Sequence, residues 1–89
     1  MKNWAYTLEC SDELRSAIRE GDAKETLELL KKAYAELFDA EMIDDYDYDN
    51  YTEELEFYDP NDDDFMDSVD YELSEFYDLC DNIGVFIEI

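Results

Sequence analysis

Apolar residues alternate with other residues at both ends of the chain. Every second residue is apolar from Trp4 to Cys10, and again from Val85 to Ile89. A period of two is typical of a strand with one buried face. Because the backbone groups of a single terminal strand need a partner, we expect these two strands to pair with each other.

Between the strands, apolar residues recur at intervals of three and four, which is the spacing of amphipathic helices. The first helix is predicted to begin with Ser11 as its N-cap and to end at Gly21. The second helix opens with Asp22 and Glu25, three residues apart as in a capping box, and is predicted to run to about Glu41.

Tyrosine and leucine residues at helical spacing predict a third helix from about Asp45 to Tyr58, capped by Asp44 or by Asp45 itself. Pro60, the only proline, and the run Asp59–Asp64 then break the chain into a loop. A fourth helix follows the loop and is stopped near Gly84.

The fourth helix has the clearest two-sided pattern. Its apolar side is predicted to consist of Phe65, Met66, Val69, Leu73, Phe76, Tyr77, Leu79 and Cys80. Its acidic side is predicted to consist of Asp64, Asp67, Asp70, Glu72, Glu75 and Asp78. Together these elements predict one α+β domain over residues 1–89, mostly helical, with about four helices and a small two-stranded sheet formed by the terminal strands.

Charge is distributed very unevenly along the 89 residues. All six basic residues lie before position 33, and the formal net charge is −22. Seven of the 28 acidic residues also lie there, so the first 32 residues carry −1 and the remaining 57 carry −21. Such a surface repels nucleic acid and anionic membranes and attracts basic proteins. We therefore expect a basic protein as the partner, and no direct binding to nucleic acid or membrane.

The candidate partner-binding residues are acids of the third and fourth helices and of the loop between them. They are Asp44, Asp45, Asp47, Asp49, Glu53, Glu54, Glu56, Asp62, Asp63, Asp64, Asp67, Asp70, Glu75 and Asp78. Carboxylates three or four residues apart recur about every 5 Å along a helix face, a spacing comparable to that of phosphates along a nucleic-acid strand. Two such helices could present the charge of a short duplex. A merely solubilising surface is the alternative.

Five tyrosines are interleaved with these acids: Tyr46, Tyr48, Tyr51, Tyr58 and Tyr71. Tyrosine rings can stack on the guanidinium planes of arginine, which would suit a basic partner. They can equally pack against neighbouring helices, and the sequence leaves both roles open.

A calcium loop is a second interpretation of the same acids. Asp45, Asp47, Asp49, Glu53 and Glu56 stand at positions 1, 3, 5, 9 and 12 of an EF-hand loop. If calcium binds, Asp45, Asp47, Asp49 and Glu56 are the expected ligands. Asn50 replaces the usual glycine, and acids are so frequent here that the spacing has little specificity. We therefore expect no metal site.

The chain lacks the residues that most catalytic sites need. It has no histidine and only two glycines, Gly21 and Gly84, which excludes His-based catalytic triads and phosphate-cradling loops. Zinc sites need histidines or cysteine pairs. We therefore predict that the protein is not an enzyme and carries no cofactor.

Two cysteines and the N-terminal residues bear on the compartment. Cys10 and Cys80 stand among apolar residues, as buried free thiols do. The chain shows no secretory signal pattern, and no apolar stretch approaches the ~20 residues of a membrane span. These features predict a cytoplasmic protein with reduced cysteines, and a Cys10–Cys80 bridge is the less favoured alternative.

In size and charge the whole chain resembles small acidic proteins of bacteriophages and mobile elements, which include DNA-mimic antirestriction and anti-CRISPR proteins. The segment Tyr71–Asp81 and the apolar strand after it also look like phage proteins of Gram-positive bacteria. The resemblance implies an inhibitor of a host defence nuclease, first of all the RNA-guided nuclease of type II CRISPR systems. Such nucleases read a short motif beside their target with arginines and hold duplex in a basic channel.

Two functional hypotheses follow. The first is a DNA-mimic inhibitor that occupies the basic nucleic-acid-binding surface of a CRISPR or restriction nuclease and blocks DNA binding. The second is an acidic adaptor or antitoxin-like module for a basic protein, with a calcium module as a further alternative. Under each hypothesis, we expect raised pKa values among the clustered carboxylates. We also expect salt to stabilise the fold, because it screens the repulsion between these carboxylates.

Overall fold

The computed structural model describes residues 5–87, so the predicted strand positions Trp4, Glu88 and Ile89 lie outside the described residues. The elements are β1 (Tyr6–Thr7), α1 (Ser11–Glu20), α2 (Ala23–Asp39), α3 (Asp45–Glu56), α4 (Phe65–Ile83) and β2 (Val85–Phe86). This confirms the predicted fold class, a mostly helical domain of four helices with paired terminal strands. No described helix is long and apolar enough to cross a membrane.

The two strands are short and parallel. Tyr6 faces Val85 across the sheet, and Thr7 faces Phe86. Backbone bonds continue on both sides of this pairing: the Ala5 N–H donates to the Gly84 carbonyl at 2.7 Å, and the Leu8 N–H donates to the Phe86 carbonyl at 2.9 Å. Parallel strands need a long crossover between them, and here the four helices provide it.

Helix α2 is the centre of the core and packs against α1, α3 and α4. Its residues Leu30, Ala33, Tyr34 and Leu37 are completely buried. They follow the spacing i, i+3, i+4, i+7, which places all four on one side of the helix. The other helices therefore take their positions from this one apolar stripe.

The start of α1 differs from the prediction. Ser11 is the first helical residue and not the N-cap, and its hydroxyl donates to the Leu8 carbonyl at 2.6 Å. Cys10 occupies the N-cap position without a side-chain cap bond. The predicted Ser11 cap is therefore wrong, because the serine hydroxyl closes the turn that precedes the helix.

Glu36 of α2 supplies acceptors for this N-terminal segment. Its carboxylate accepts the Tyr6 hydroxyl at 2.7 Å, the Glu9 N–H at 2.6 Å and the Cys10 N–H at 3.2 Å. The hydrogen bond to Glu36 raises the pKa of Tyr6 to about 12, with burial adding to the shift. One carboxylate thus ties β1 and the entry to α1 onto the central helix.

The junction between α1 and α2 confirms half of the predicted capping box. The Asp22 carboxylate accepts the Glu25 N–H at 3.1 Å, which is the N-cap bond. The Asp22 N–H donates to the Ala17 carbonyl at 3.1 Å and closes α1, while Gly21 adopts the left-handed conformation there. Gly21 therefore ends α1 as predicted.

Helix α2 ends two residues before the predicted Glu41. Glu41 has a φ of 61°, in the left-handed region where glycine is the usual residue. The Met42 N–H donates to the Leu37 carbonyl at 2.9 Å, and the Glu41 N–H donates to the Phe38 carbonyl at 3.0 Å. This pair of bonds is a Schellman motif, so the chain leaves α2 through a turn that the sequence does not signal with a glycine.

Helix α3 begins where the sequence predicts and ends earlier. Asp44 is its N-cap and accepts the Asp47 N–H at 2.8 Å. The helix ends at Glu56, two residues before the predicted Tyr58, and the loop with Pro60 follows. The loop starts early enough to let the Tyr58 side chain turn toward α4, where its hydroxyl meets Glu72.

Three residues of α4 differ in exposure from the prediction. Met66 and Tyr77, predicted on the apolar side, are 50% and 36% exposed. Glu72, predicted on the acidic side, is 2% exposed. At 100° per residue Glu72 lies only 20° from Phe65 around the helix, so it belongs to the buried stripe, whereas Met66 and Tyr77 lie on its edge.

Both cysteines are buried and free. Burial raises the pKa of each thiol to about 12. At neutral pH both are therefore un-ionised and weak nucleophiles.

Candidate functional site

The predicted partner-binding acids are almost all available to a partner. Thirteen of the fourteen are exposed, and Asp47 is half-buried. We call the fourteen together the acidic surface. Its members are Asp44, Asp45, Asp47, Asp49, Glu53, Glu54, Glu56, Asp62, Asp63, Asp64, Asp67, Asp70, Glu75 and Asp78.

Within α3 these acids point in two directions. At 100° per residue, four of them fall within one sector that extends from one flank of the helix to its outer side: Asp45, Asp49, Glu53 and Glu56. Asp47 and Glu54 lie on the opposite flank. Glu54 is next to Glu72 and Tyr71, so this second flank of α3 faces α4.

The acids of α4 divide in the same way. Asp67 and Asp78 lie nearly opposite the buried stripe and point outward. Glu75 lies on the flank toward α3, where its charge acts on Tyr51. Asp70 lies on the other flank, where it lines a groove with Ile18 and Met66. The acidic surface therefore wraps around α3 and α4 instead of forming one plane.

In the part of the chain that the structure describes, ion pairs are confined to α1 and α2. They join Arg15 to Asp12 at 3.1 Å, Lys31 to Glu28 at 3.6 Å and Lys32 to Glu13 at 3.1 Å. All six partners belong to α1 and α2. Within residues 5–87, no ion pair reaches the acidic surface, so the described basic residues leave its charge without ion-pair compensation.

Two of the five interleaved tyrosines present their rings to solvent. Tyr46 is 75% exposed and Tyr71 is 57% exposed. Tyr48, Tyr51 and Tyr58 are half-buried and pack against the core; Tyr48 lies 4.9 Å from Phe38 between ring centroids. The stacking role proposed for the tyrosines is therefore open to Tyr46 and Tyr71, and the other three belong to the fold.

Glu72 lies beneath the acidic surface, where sequence reasoning did not place it. Its Oε1 atom accepts the Tyr58 hydroxyl at 2.6 Å. Burial raises the pKa of Glu72, the nearby carboxylates Glu54 and Glu75 add to the shift, and the Tyr58 bond opposes it. This rise belongs to one buried acid outside the acidic surface, and its main cause is burial, whereas the sequence predicted a rise caused by clustering.

The residues of the candidate calcium loop lie in a helix and not in a loop. Asp45, Asp49, Glu53 and Glu56 lie along one side of α3, and Asp47 lies across the helix from them. An EF-hand needs these residues in a non-helical loop that wraps around the ion. In residues 5–87, no group of three or more acidic, cysteine or histidine side chains converges as a metal site would require.

No protein-family model matches this chain, and neither a curated protein nor a solved structure is significantly similar to it. The resemblance to DNA-mimic proteins thus stays a proposal. What the structure contributes is the placement of the charges.

Proposed function

We propose that the protein is an acidic DNA mimic. It binds the basic nucleic-acid-binding surface of a host defence nuclease and blocks DNA binding by occupancy, without chemistry of its own. The RNA-guided nuclease of type II CRISPR systems is the first partner to test, and restriction nucleases come next. The proposal rests on one observation: the acidic surface is exposed on two helices and a loop, and none of the ion pairs in the described part of the chain reaches it.

Charge density supports this proposal. Residues 5–87 carry the same net charge of −22 as the whole chain, because Lys2 and Glu88 cancel. Over the longest dimension of 39 Å, this is about one charge per 1.8 Å. Duplex DNA carries one charge per ~1.7 Å of its axis. A basic channel built for duplex would therefore meet a similar charge per unit length.

Association should be fast and sensitive to salt. Opposite fields steer two proteins together, and the association rate then falls steeply as salt screens them. A binding module that uses its apolar residues would show a weaker dependence. Salt dependence of the association rate thus reports whether the acidic surface makes the contact.

Charge reversal of three neighbouring acids tests which surface binds. Replacing Asp63, Asp64 and Asp67 together by Lys should abolish inhibition of DNA cleavage by the guide-loaded nuclease. Circular dichroism should show the same helical fold, because all three side chains are exposed.

The matched control reverses Glu9, Glu20 and Glu25, which are exposed outside the acidic surface. It changes the net charge by the same amount, and it should retain inhibition. Equal loss in both variants would mean that only total charge matters. Full inhibition by the first variant would show that the proposed surface is wrong.

The adaptor hypothesis makes a different prediction for the same complex. An acidic adaptor binds a basic protein beside its nucleic acid, whereas a mimic competes with the nucleic acid for one surface. A ternary complex of nuclease, DNA and this protein would therefore favour the adaptor.

A further inference from the structure

The region between α3 and α4 that lies over the Tyr34 ring, bounded by Tyr51 of α3 and Phe76 of α4, is called the α3–α4 seam. Its floor is aromatic and is provided by the central helix. The Tyr34 ring stacks on Tyr51 of α3, with centroids 5.0 Å apart and an interplanar angle of 9°. The same ring meets Phe76 of α4 edge-on, at 5.0 Å and 84°. Tyr34 is completely buried, so it lies at the bottom of the seam and contacts both of its walls.

Carboxylates from both helices form the rim of this seam. Burial raises the pKa of Tyr51, and Asp47, Glu75 and Glu54 add to the shift, so the charges of acids from both α3 and α4 act on one hydroxyl. The interaction with Glu75 raises the pKa of Tyr71, and Glu54 adds to it. Glu54 and Glu75 are exposed and Tyr71 is largely exposed, so all three are accessible from solvent.

The Tyr34 hydroxyl is a second, independent feature of the seam. It is buried and has no hydrogen-bond partner in the described part of the chain. Burial raises the pKa of this hydroxyl, and Glu72, Tyr51 and Glu54 are among the groups that add to the shift, so carboxylates of both helices lie within electrostatic range of it. Leaving a buried hydroxyl unpaired is unfavourable, and a donor that enters the seam would pair it.

We propose that the α3–α4 seam is a subsite for one guanidinium group, presented by an arginine of the basic partner. Glu54 and Glu75 accept its N–H groups from the two rims, the Tyr71 ring stacks on its plane, and the Tyr34 hydroxyl oxygen accepts a further N–H at the floor. This subsite rests on the proposed function, because the partner's basic surface supplies the arginine.

Arginine suits this arrangement better than lysine does. A guanidinium has five donors in a rigid plane, reaches two carboxylates at once and stacks on aromatic faces. A lysine ammonium is compact and strongly hydrated, so it loses more solvation when it enters a seam with an aromatic floor. The acids on the outer sides of α3 and α4 have no such floor and should accept either cation.

At a pH where Glu72 still holds its proton in the free protein, binding should release protons. Several titratable groups face Glu72 from the surrounding elements: Tyr34 on α2, Glu54 on α3, Tyr58 in the loop, and Tyr71 and Glu75 on α4. Of these, none is basic. A cation placed among these carboxylates favours their charged forms, so Glu72 gives up its proton more readily in the complex.

Short polyarginine and polylysine peptides of equal length are the probes for calorimetry on the whole protein. The wild type should bind polyarginine at least about fivefold more tightly, which corresponds to one net hydrogen bond. Replacing Glu54 and Glu75 together by Gln should remove this preference. Replacing Asp67 and Asp78 together by Asn makes the same charge change on the outer side of α4, and it should weaken both peptides equally while the preference remains.

Tyr34→Phe tests the floor without any change of charge. It keeps both ring contacts and should lower polyarginine affinity by about fivefold, with little effect on polylysine. Calorimetry in two buffers of different ionisation heat, at a pH where Glu72 is still partly protonated, measures proton release. The release should be larger for polyarginine in the wild type and should fall in the Glu54 and Glu75 double variant.

Equal affinity of the wild type for the two peptides would overturn the subsite. Equal effects of the two double variants on the preference would do the same. These measurements need no nuclease, so they can fail while the protein still blocks DNA binding. Conversely, a preserved arginine preference with no nuclease inhibition would overturn the proposed function alone.

Discussion

Glu72→Gln removes the one carboxylate that the structure buries beneath the acidic surface. Glu72 is 2% exposed, and its Oε1 atom accepts the Tyr58 hydroxyl at 2.6 Å. Glutamine has nearly the same shape, and its amide oxygen can accept the same bond. Its amide nitrogen can also donate to Glu54, which lies beside Glu72. The substitution therefore removes a buried charge without opening a cavity.

The expected effect depends on pH because burial raises the pKa of Glu72. The folded protein holds this proton more tightly than the unfolded chain does. The stability from Glu72 protonation is therefore fully present below the ordinary glutamate pKa, about 4.3, and is lost as pH rises through the raised value. Above the raised value the wild type bears the cost of a buried ionised carboxylate, and the variant does not.

At pH values where the wild-type Glu72 is ionised, we expect Glu72→Gln to increase the free energy of unfolding by roughly 1 kcal/mol, the typical value of one net hydrogen bond. For a domain of this size, that corresponds to about 4–8 °C in Tm. Urea unfolding followed by circular dichroism from pH 5 to pH 8 measures the difference, which should shrink toward pH 5. Glu75→Gln is the matched control, because it removes one exposed charge from the same helix.

Two results would refute this reasoning. If Glu72→Gln is less stable than the wild type at every pH, the carboxylate is needed in its charged form. If its advantage equals that of Glu75→Gln throughout, the gain comes from reduced net charge and burial plays no part.

Three further predictions concern stability and are read by thermal or urea unfolding. Glu36→Ala should lower the free energy of unfolding by about 2–3 kcal/mol, because Tyr6 and two backbone N–H groups lose a charged acceptor; an unchanged midpoint would contradict the anchoring role. Glu41→Gly should raise the free energy of unfolding by about 0.5–1 kcal/mol, since glycine accepts a φ of 61° without strain; a decrease in this free energy would contradict the strain at Glu41. Sodium chloride should raise Tm by screening carboxylate repulsion; a flat profile would contradict this.

Hydrophobic periodicity is enough to predict most of this fold. The stripe Leu30, Ala33, Tyr34 and Leu37 identifies the central helix, and all four residues are buried. Alternation at the chain ends predicts the paired strands. It does not predict their parallel direction or their length of two residues each, because both depend on how four helices return the chain to its start.

Helix caps made by residues close in sequence can be predicted, whereas contacts made by residues far away in sequence cannot. Asp44 and Asp22 accept N–H groups three residues ahead, as their residue type suggests. Ser11 offers the same signal, but its hydroxyl serves the preceding turn. Glu36 meets the backbone before α1 from 26 or 27 residues away, and no local pattern indicates such a contact.

At Glu72, the residue type predicts exposure, whereas the position in the helix predicts burial. Val69, Leu73 and Phe76 are its neighbours on the helix, and their spacing places position 72 on the buried stripe. An acid there is unexpected because burial of a carboxylate is costly. Its partner, the Tyr58 hydroxyl, lies 14 residues back in the chain and becomes apparent only in the folded protein.

The exposure of the acidic surface follows from composition, but its arrangement does not. Asp67 and Asp78 point outward as the helix pattern predicts. Glu54 and Glu75 lie near the same tyrosine because α3 and α4 both pack against α2. A seam of this kind depends on helix packing, which periodicity alone does not define.

Mutual exclusion with DNA is the decisive measurement for the proposed mimicry. The guide-loaded type II nuclease is immobilised, saturated with this protein and then titrated with duplex target DNA while both ligands are followed. The account predicts that each ligand displaces the other, so that no nuclease molecule carries both. Simultaneous loading of protein and DNA on the same nuclease would contradict it.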